Sequence, residues 1–161
     1  MMRVDPWRGH NFAVALVDSS TSLLTALASI ARSPAGGFSE CSGLEATLEV
    51  EDYREGGRND TVLKFPTRVN PQKIQLRRGL AVTDELWQWS DDFRQGRGMR
   101  KDGMIVLQND LHIAVKGWAF VRGFPARLNL SSFDATQSRV VIEELDIVHE
   151  GLELLPIGGG A

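Results

Sequence analysis

The chain has 161 residues, 42% apolar and 24% charged, with a net charge of −3, which suits one globular domain and argues against a nucleic-acid partner held by bulk electrostatics. Its single cysteine, Cys41, rules out an internal disulfide and offers no CxxC metal spacing, as expected for a reducing compartment. No apolar run reaches the roughly 18–20 residues that span a bilayer, and MMRVDPWRGH lacks the apolar core of a signal peptide, so no membrane insertion is expected.

Residues 1–10 read as an irregular arm, anchored by Trp7 on its own subunit or on a neighbour. Asn11 to Val17 is a first strand with Phe12, Val14 and Leu16 on one side. In residues 19–37, Leu23, Leu27 and Ile30 share a helical face, with Thr21 or Ser22 as cap and Pro34 to Gly37 as stop. A helix of about ten residues needs packing to be stable. It covers its own sheet or touches another subunit.

The central stretch, Phe38 to Gly79, alternates strictly at first. Leu44, Ala46, Leu48 and Val50 are apolar, whereas Glu45, Thr47, Glu49 and Glu51 are polar. Period two predicts a strand with one dry and one wet face. Lys73-Ile74-Gln75-Leu76-Arg77 alternates again, and Gly56-Gly57, Asn59-Asp60, Pro66 and Asn70-Pro71 lie between. The pattern predicts two antiparallel strands joined by a loop of about fifteen to twenty residues, longer than usual and therefore a functional candidate. Ile74 and Leu76 join the dry face; Lys73, Gln75 and Arg77 join the wet one.

Thr83 to Arg94 is the clearest helix, with Leu86, Trp89 and Phe93 in one stripe, Thr83 as cap and Asp84-Glu85 complementing the dipole. The stripe is read as core packing. Arg94, Arg97, Arg100 and Lys101 follow among glycines, a solvated loop or a docking patch for an acidic partner. Met104–Leu107 and Leu111–Phe120 form a hairpin with Asn109-Asp110 in its turn. Gly123, ahead of Pro125, marks a bulge or corner, and Ala126–Leu130 continues as a short strand. Residues 131–136 turn. Arg139 to His149 is the last strand, with a bulge near Glu143-Glu144 because Val140 and Ile142 differ in parity from Leu145 and Ile147. Residues 151–161 trail off, the final glycines mobile. The expected fold is mainly β: an antiparallel sandwich or barrel with one flanking helix, in one domain over 1–161.

Catalytic chemistry is missing from the pattern. His10, His112 and His149 lie apart, without HExxH, and no GxSxG, P-loop or dinucleotide motif occurs. Glu143-Glu144, adjacent on a strand, point to opposite faces, and Asp91-Asp92 diverge on the helix. Cys41 has no basic neighbour in sequence to lower its pKa. The expectation is a non-enzyme without cofactor or metal.

The ordered series Gly37-Phe38-Ser39, Ser42-Gly43-Leu44, Tyr53-Arg54-Glu55-Gly56-Gly57, Lys64-Phe65-Pro66, Leu76-Arg77-Arg78-Gly79, Leu86-Trp87 with Trp89, and His149-Glu150-Gly151-Leu152 resembles the phage tail-tube protein family. It is most similar to the inner tube proteins of phage-like extracellular contractile injection systems, over roughly residues 11–155. Residues 19–35 depart from the family as an insertion. The resemblance implies a structural subunit of stacked hexameric rings, whose sheets join into a ring-wide β-barrel around a lumen for cargo. Its implied partners are further copies of itself, a contractile sheath protein, and baseplate and spike proteins, with no sequence-specific nucleic-acid binding. It implies assembly in the cytoplasm into a phage-tail-like particle that stays there or is released. On that expectation Glu45, Thr47, Glu49, Glu51, Lys73, Gln75 and Arg77 face the lumen. Arg54, Glu55, Gly56, Gly57 and Arg58 in the long loop contact neighbouring subunits or rings, and Arg97, Arg100 and Lys101 face the sheath. The competing readings are a type VI secretion tube protein and a monomeric β-barrel that binds a small ligand in its core.

Overall fold

A computed structural model describes residues 11–18, 37–57, 60–81 and 83–157. The expectations for Trp7 and the arm, the 19–37 helix, Arg58 and the glycine tail lie outside the described residues. The described chain forms nine strands and one helix: β1 (Phe12–Asp18), β2 (Phe38–Ser42), β3 (Ala46–Tyr53), β4 (Leu63–Pro71), β5 (Ile74–Gly79), α1 (Glu85–Arg94), β6 (Lys101–Gln108), β7 (Ala114–Leu130), β8 (Ile142–Val148) and β9 (Gly151–Leu155). Every strand pair is antiparallel, which confirms the predicted class.

Strand β7 organises the sandwich. Its 17 residues exceed the usual strand length of 3–10, so it serves two sheets. Its first half pairs with β6 and β9; its second half pairs with β8. The sheet order is β1-β6-β7-β8-β5-β2. The predicted corner is present: Arg122 has φ 53°, and pairing with both partners shifts on either side of it. Arg122 donates its backbone N–H to Asp102 (2.8 Å), and its carbonyl accepts from Arg100 (3.1 Å). Phe120, with no exposed surface, lies over the Cα atoms of Gly103 and Gly123. A Cβ on Gly103 would stand 2.1 Å from its ring, so both glycines are needed for this close approach.

The space between the sheets is filled by Val14, Ile74, Leu76, Ile105, Phe120, Leu145 and Ile147, closed by Leu86 and Trp89 of α1. Phe12 and Leu16 join this side, as their parity predicted, whereas Ala13 and Ala15 pack beneath Met104, Val106, Leu155 and Ile157. Helix α1 starts after Asp84, which caps without a side-chain bond; Thr83 is not the cap. It ends in a Schellman turn: Gly96 has φ 74°, Arg97 N–H donates to Asp92 O, and Gly96 N–H to Phe93 O.

Several expectations are corrected. The strand over 44–51 does not pair with 73–77. Instead β3 pairs with β4 as a separate two-stranded sheet, and β5 pairs with β2 and β8. The connection expected to be a loop over 54–72 contains β4, and of the described residues before it 54–57 and 60–62 lie outside any strand. The part of the expected dry face on β3 is not dry in this subunit: Leu48 and Val50 are 51% and 54% exposed, while Leu44, Ile74 and Leu76 pack in or on the core. No bulge interrupts β8, because Glu143 takes an interior position opposite Arg78. The segment after His149 is a strand, β9, paired with β7.

Candidate functional site

The site is the polar face of the four-stranded half of the sandwich, β7-β8-β5-β2 beyond the corner. Alternation fixes which residues appear there. Ile74, Leu76 and Arg78 of β5 point inward with Ile147, Leu145 and Glu143 of β8, while Gln75 and Arg77 point outward opposite Asp146 and Glu144. The outer rows extend onto β2 through Glu40 and Ser42 and onto β7 through Arg127 and Asn129.

These residues form a ladder of opposite charges. Arg77 donates to Glu144 (2.5 Å) and to Glu40 (3.1 Å). Those two carboxylates, the Glu144 hydrogen bond first, raise the guanidinium pKa above its ordinary value. Lys73 reaches over Asp146 (2.8 Å), which is otherwise buried, and Arg127 lies 4.0 Å from Glu144. Three cations and three carboxylates balance, so the face is hydrophilic without net charge. Such a surface repels neither sign strongly.

Lys73, Gln75 and Arg77 thus belong to the charged face. Glu45, Thr47, Glu49 and Glu51 do not share it, because they lie at or on β3 in the separate hairpin. Arg54, Glu55, Gly56 and Gly57 follow β3 and are exposed, with Gly57 at φ 109°. The sequence reading missed Glu40, Arg127, Glu144 and Asp146. Their signal was the i, i+2 spacing of Glu144 and Asp146, obscured by the mistaken bulge.

The β3–β4 hairpin carries a second surface. Its pairing places Leu48 opposite Val69 and Val50 opposite Pro66, so one face is a run of exposed apolar side chains, with Val69 64% exposed. On the other face Tyr53 meets Phe65 edge-on at 6.2 Å. Asp52 and Lys64 pair at 2.7 Å. At the hairpin's base, His149 is buried with Nε2 2.9 Å from Gln72 O and Nδ1 3.0 Å from Gly151 O. The ring thereby ties the hairpin to the β8–β9 junction.

The basic loop is neutralised in place. Arg97 meets Asp92 (3.4 Å), Arg100 meets Glu150 (2.9 Å) and lies over Phe124, and Lys101 approaches Asp18 (3.9 Å). Cys41 is pushed up to about 11 by burial, which leaves it a thiol at neutral pH. Among the described residues no group of three or more potential metal ligands occurs.

Residues 8–153 match the model of the T4-like virus tail tube protein gp19. The chain belongs to that family. Its members are structural tube proteins, and this tail-tube protein is not an enzyme. A solved chain from the anti-feeding prophage baseplate is 26% identical, with a TM-score of 0.79 over 95% of this chain and 97% of that one. A chain of the sheath-tube complex of an extracellular contractile injection system is 24% identical, with a TM-score of 0.76 over 93% and 91%. A protein titled Hcp shares the fold at 10% identity and a TM-score of 0.52 over 93% and 95%. No curated protein sequence matched. The likeness to injection-system tubes agrees with the branch the motif series resembles. This tail-tube protein is a structural component of a phage-tail-like particle, and among the described residues no helix is long and apolar enough to cross a membrane.

Proposed function

We propose that six copies close into a ring, that rings stack into the inner tube of a contractile injection system, and that the charged face of β2-β5-β8-β7 lines the lumen. The observation that carries this reading is the four-stranded sheet itself. It holds an even number of alternating strands, and among the described residues β2 and the second half of β7 each pair on one side only. Open strand edges invite pairing, and a closed ring of sheets removes them. With four alternating strands, the last strand of one copy meets the first of the next antiparallel, so a head-to-tail contact repeats around a ring. Lys73, Gln75, Arg77, Glu40, Glu144, Asp146 and Arg127 then present cargo with a wall of balanced charge.

The hairpin is the second contact. Its apolar face with Leu48, Val50 and Val69, together with the 54–57 connection, packs on adjacent copies or the next ring. Glu45, Thr47, Glu49 and Glu51 sit in the same region. If β2-β5-β8-β7 faces inward, α1 and the Arg97, Arg100 and Lys101 segment lie outward, toward a sheath. The solved sheath-tube complex and the anti-feeding prophage baseplate motivate sheath and baseplate partners here. Assembly begins in the cytoplasm. The test is negative-stain electron microscopy with light scattering on the concentrated protein. Six-fold rings or tubes with a central hole are expected. A monomer at every concentration, alone and with its baseplate, overturns the reading.

A further inference from the structure

We infer that the seam between neighbouring copies is an antiparallel pairing of β2 with the second half of the next copy's β7, registered by an ion pair between Glu40 and the neighbour's Arg127. This rests on the ring reading and specifies its interface. The two strands are the opposite edges of one sheet, in the order β7-β8-β5-β2. Three strand spacings separate them within one copy, about 14 Å, with Arg77 and Glu144 between, so the two side chains do not meet inside a subunit.

Each edge brings one charged residue to the polar face, and the signs are opposite. Glu40 is the charged residue of β2 on that face, and Arg127 that of β7 beyond the corner. Both are about half exposed at their side chains, 55% each. Arg127 has only a 4.0 Å approach to Glu144, and Glu40 uses Oε2 on Arg77, so each keeps capacity for a second partner. Beside the seam, both edges carry apolar surface next to their charged residue, Glu40 lining one groove and Arg127 the other. Leu44 and Trp118 flank a groove beside β2, while Trp87, Phe93 and Leu128 flank one beside β7. Apolar flanks on both edges let the seam exclude water while the charge pair fixes register.

The experiment uses the full chain with Glu40→Arg and Arg127→Glu. A like charge placed opposite another at every seam should raise the concentration needed for half-assembly about tenfold or more. Each single variant should therefore stay monomeric where wild type forms rings, with an unchanged circular dichroism spectrum. The double swap, E40R/R127E, should assemble alone. An equimolar mixture of the two single variants should also assemble, because each E40R copy presents its new cation to the new carboxylate of an R127E copy. These mixed rings should contain the variants at 1:1 by native mass spectrometry, and an even ring accommodates the alternation. Wild-type rings with a mixture that stays monomeric, or with single variants that assemble normally, overturn the seam and leave the ring reading standing. A wild type that forms no ring overturns both.

Discussion

Arg78 and Glu143 are the sharpest test of how this core is held. Both side chains are about 95% buried, with Arg78 Nε donating to Glu143 Oε2 at 2.7 Å. Arg78 also lies over Phe38, 5.4 Å from the ring centroid, and its Nη2 is buried without a hydrogen-bond partner. Replacing Arg78 by Met removes the cation and leaves a carboxylate in the interior. Breaking a buried pair in this way costs about 3–5 kcal/mol, a large share of the 5–15 kcal/mol that holds a typical domain. For a chain of this size each kcal/mol moves the midpoint by ~2–4 °C, so R78M should lower Tm by roughly 6–20 °C. The double variant R78M/E143L removes both charges and the unpaired Nη2. It should recover to within about 1 kcal/mol of wild type. Urea denaturation of dilute, unassembled protein reads both. If R78M unfolds within 1 kcal/mol of wild type, or the double loses as much as the two singles added, the pair is not the buried, desolvated contact described.

Three other outcomes follow from the geometry. L48S/V50S on the exposed hairpin face should leave subunit stability within about 0.5 kcal/mol while sharply reducing assembly by light scattering; loss of the fold, or unchanged rings, contradicts the hairpin's role as a contact. Gly103→Ala puts a Cβ 2.1 Å from the fully buried Phe120 ring and should cost about 1–3 kcal/mol in urea denaturation, whereas Gly56→Ala, with nothing within 4 Å, should be neutral. Cys41 has its pKa raised from 9.0 to about 11 by burial, so at pH 8 its ionisation alone should slow thiol-reagent modification about 100-fold relative to the unfolded chain. The unfolded thiol loses its proton first as pH rises, so stability is unaffected below pH 9 and falls between about 9 and 11. Cys41→Ala should flatten that fall, and a denaturation midpoint that moves equally in both proteins would show that Cys41 is not its source.

Local pattern alone predicted much of this protein. The stripe of Leu86, Trp89 and Phe93 specified α1, the parity of Phe12, Val14 and Leu16 chose the side of β1 that faces the main core, and the Gly123-Pro125 corner marked where β7 changes sheets. These are consequences of side-chain direction, which depends only on neighbours a few residues away. The ordered motif series carried the family and its structural role. Pairing partners were a different matter. The alternation at 44–51 is as compatible with β4 as with β5, and Pro66 and Pro71 disguised β4 as loop. Those prolines are tolerated because, among the described residues, the hairpin has no further strand to bond. The dry face of β3 was legible as apolar, but sequence cannot say whether its cover comes from the same subunit or another. The opposite parity of Val140 and Ile142 suggested a bulge near Glu143, but those two side chains are exposed and Glu143 takes the interior position. Only the tertiary fold brings Arg78 opposite it, 65 residues away, and supplies the charge that lets it stay. The charged face was decided in the same way. Which strands lie beside β5 determines whether Arg77 meets Glu40 and Glu144, and strand order is set by long-range packing that no local period encodes.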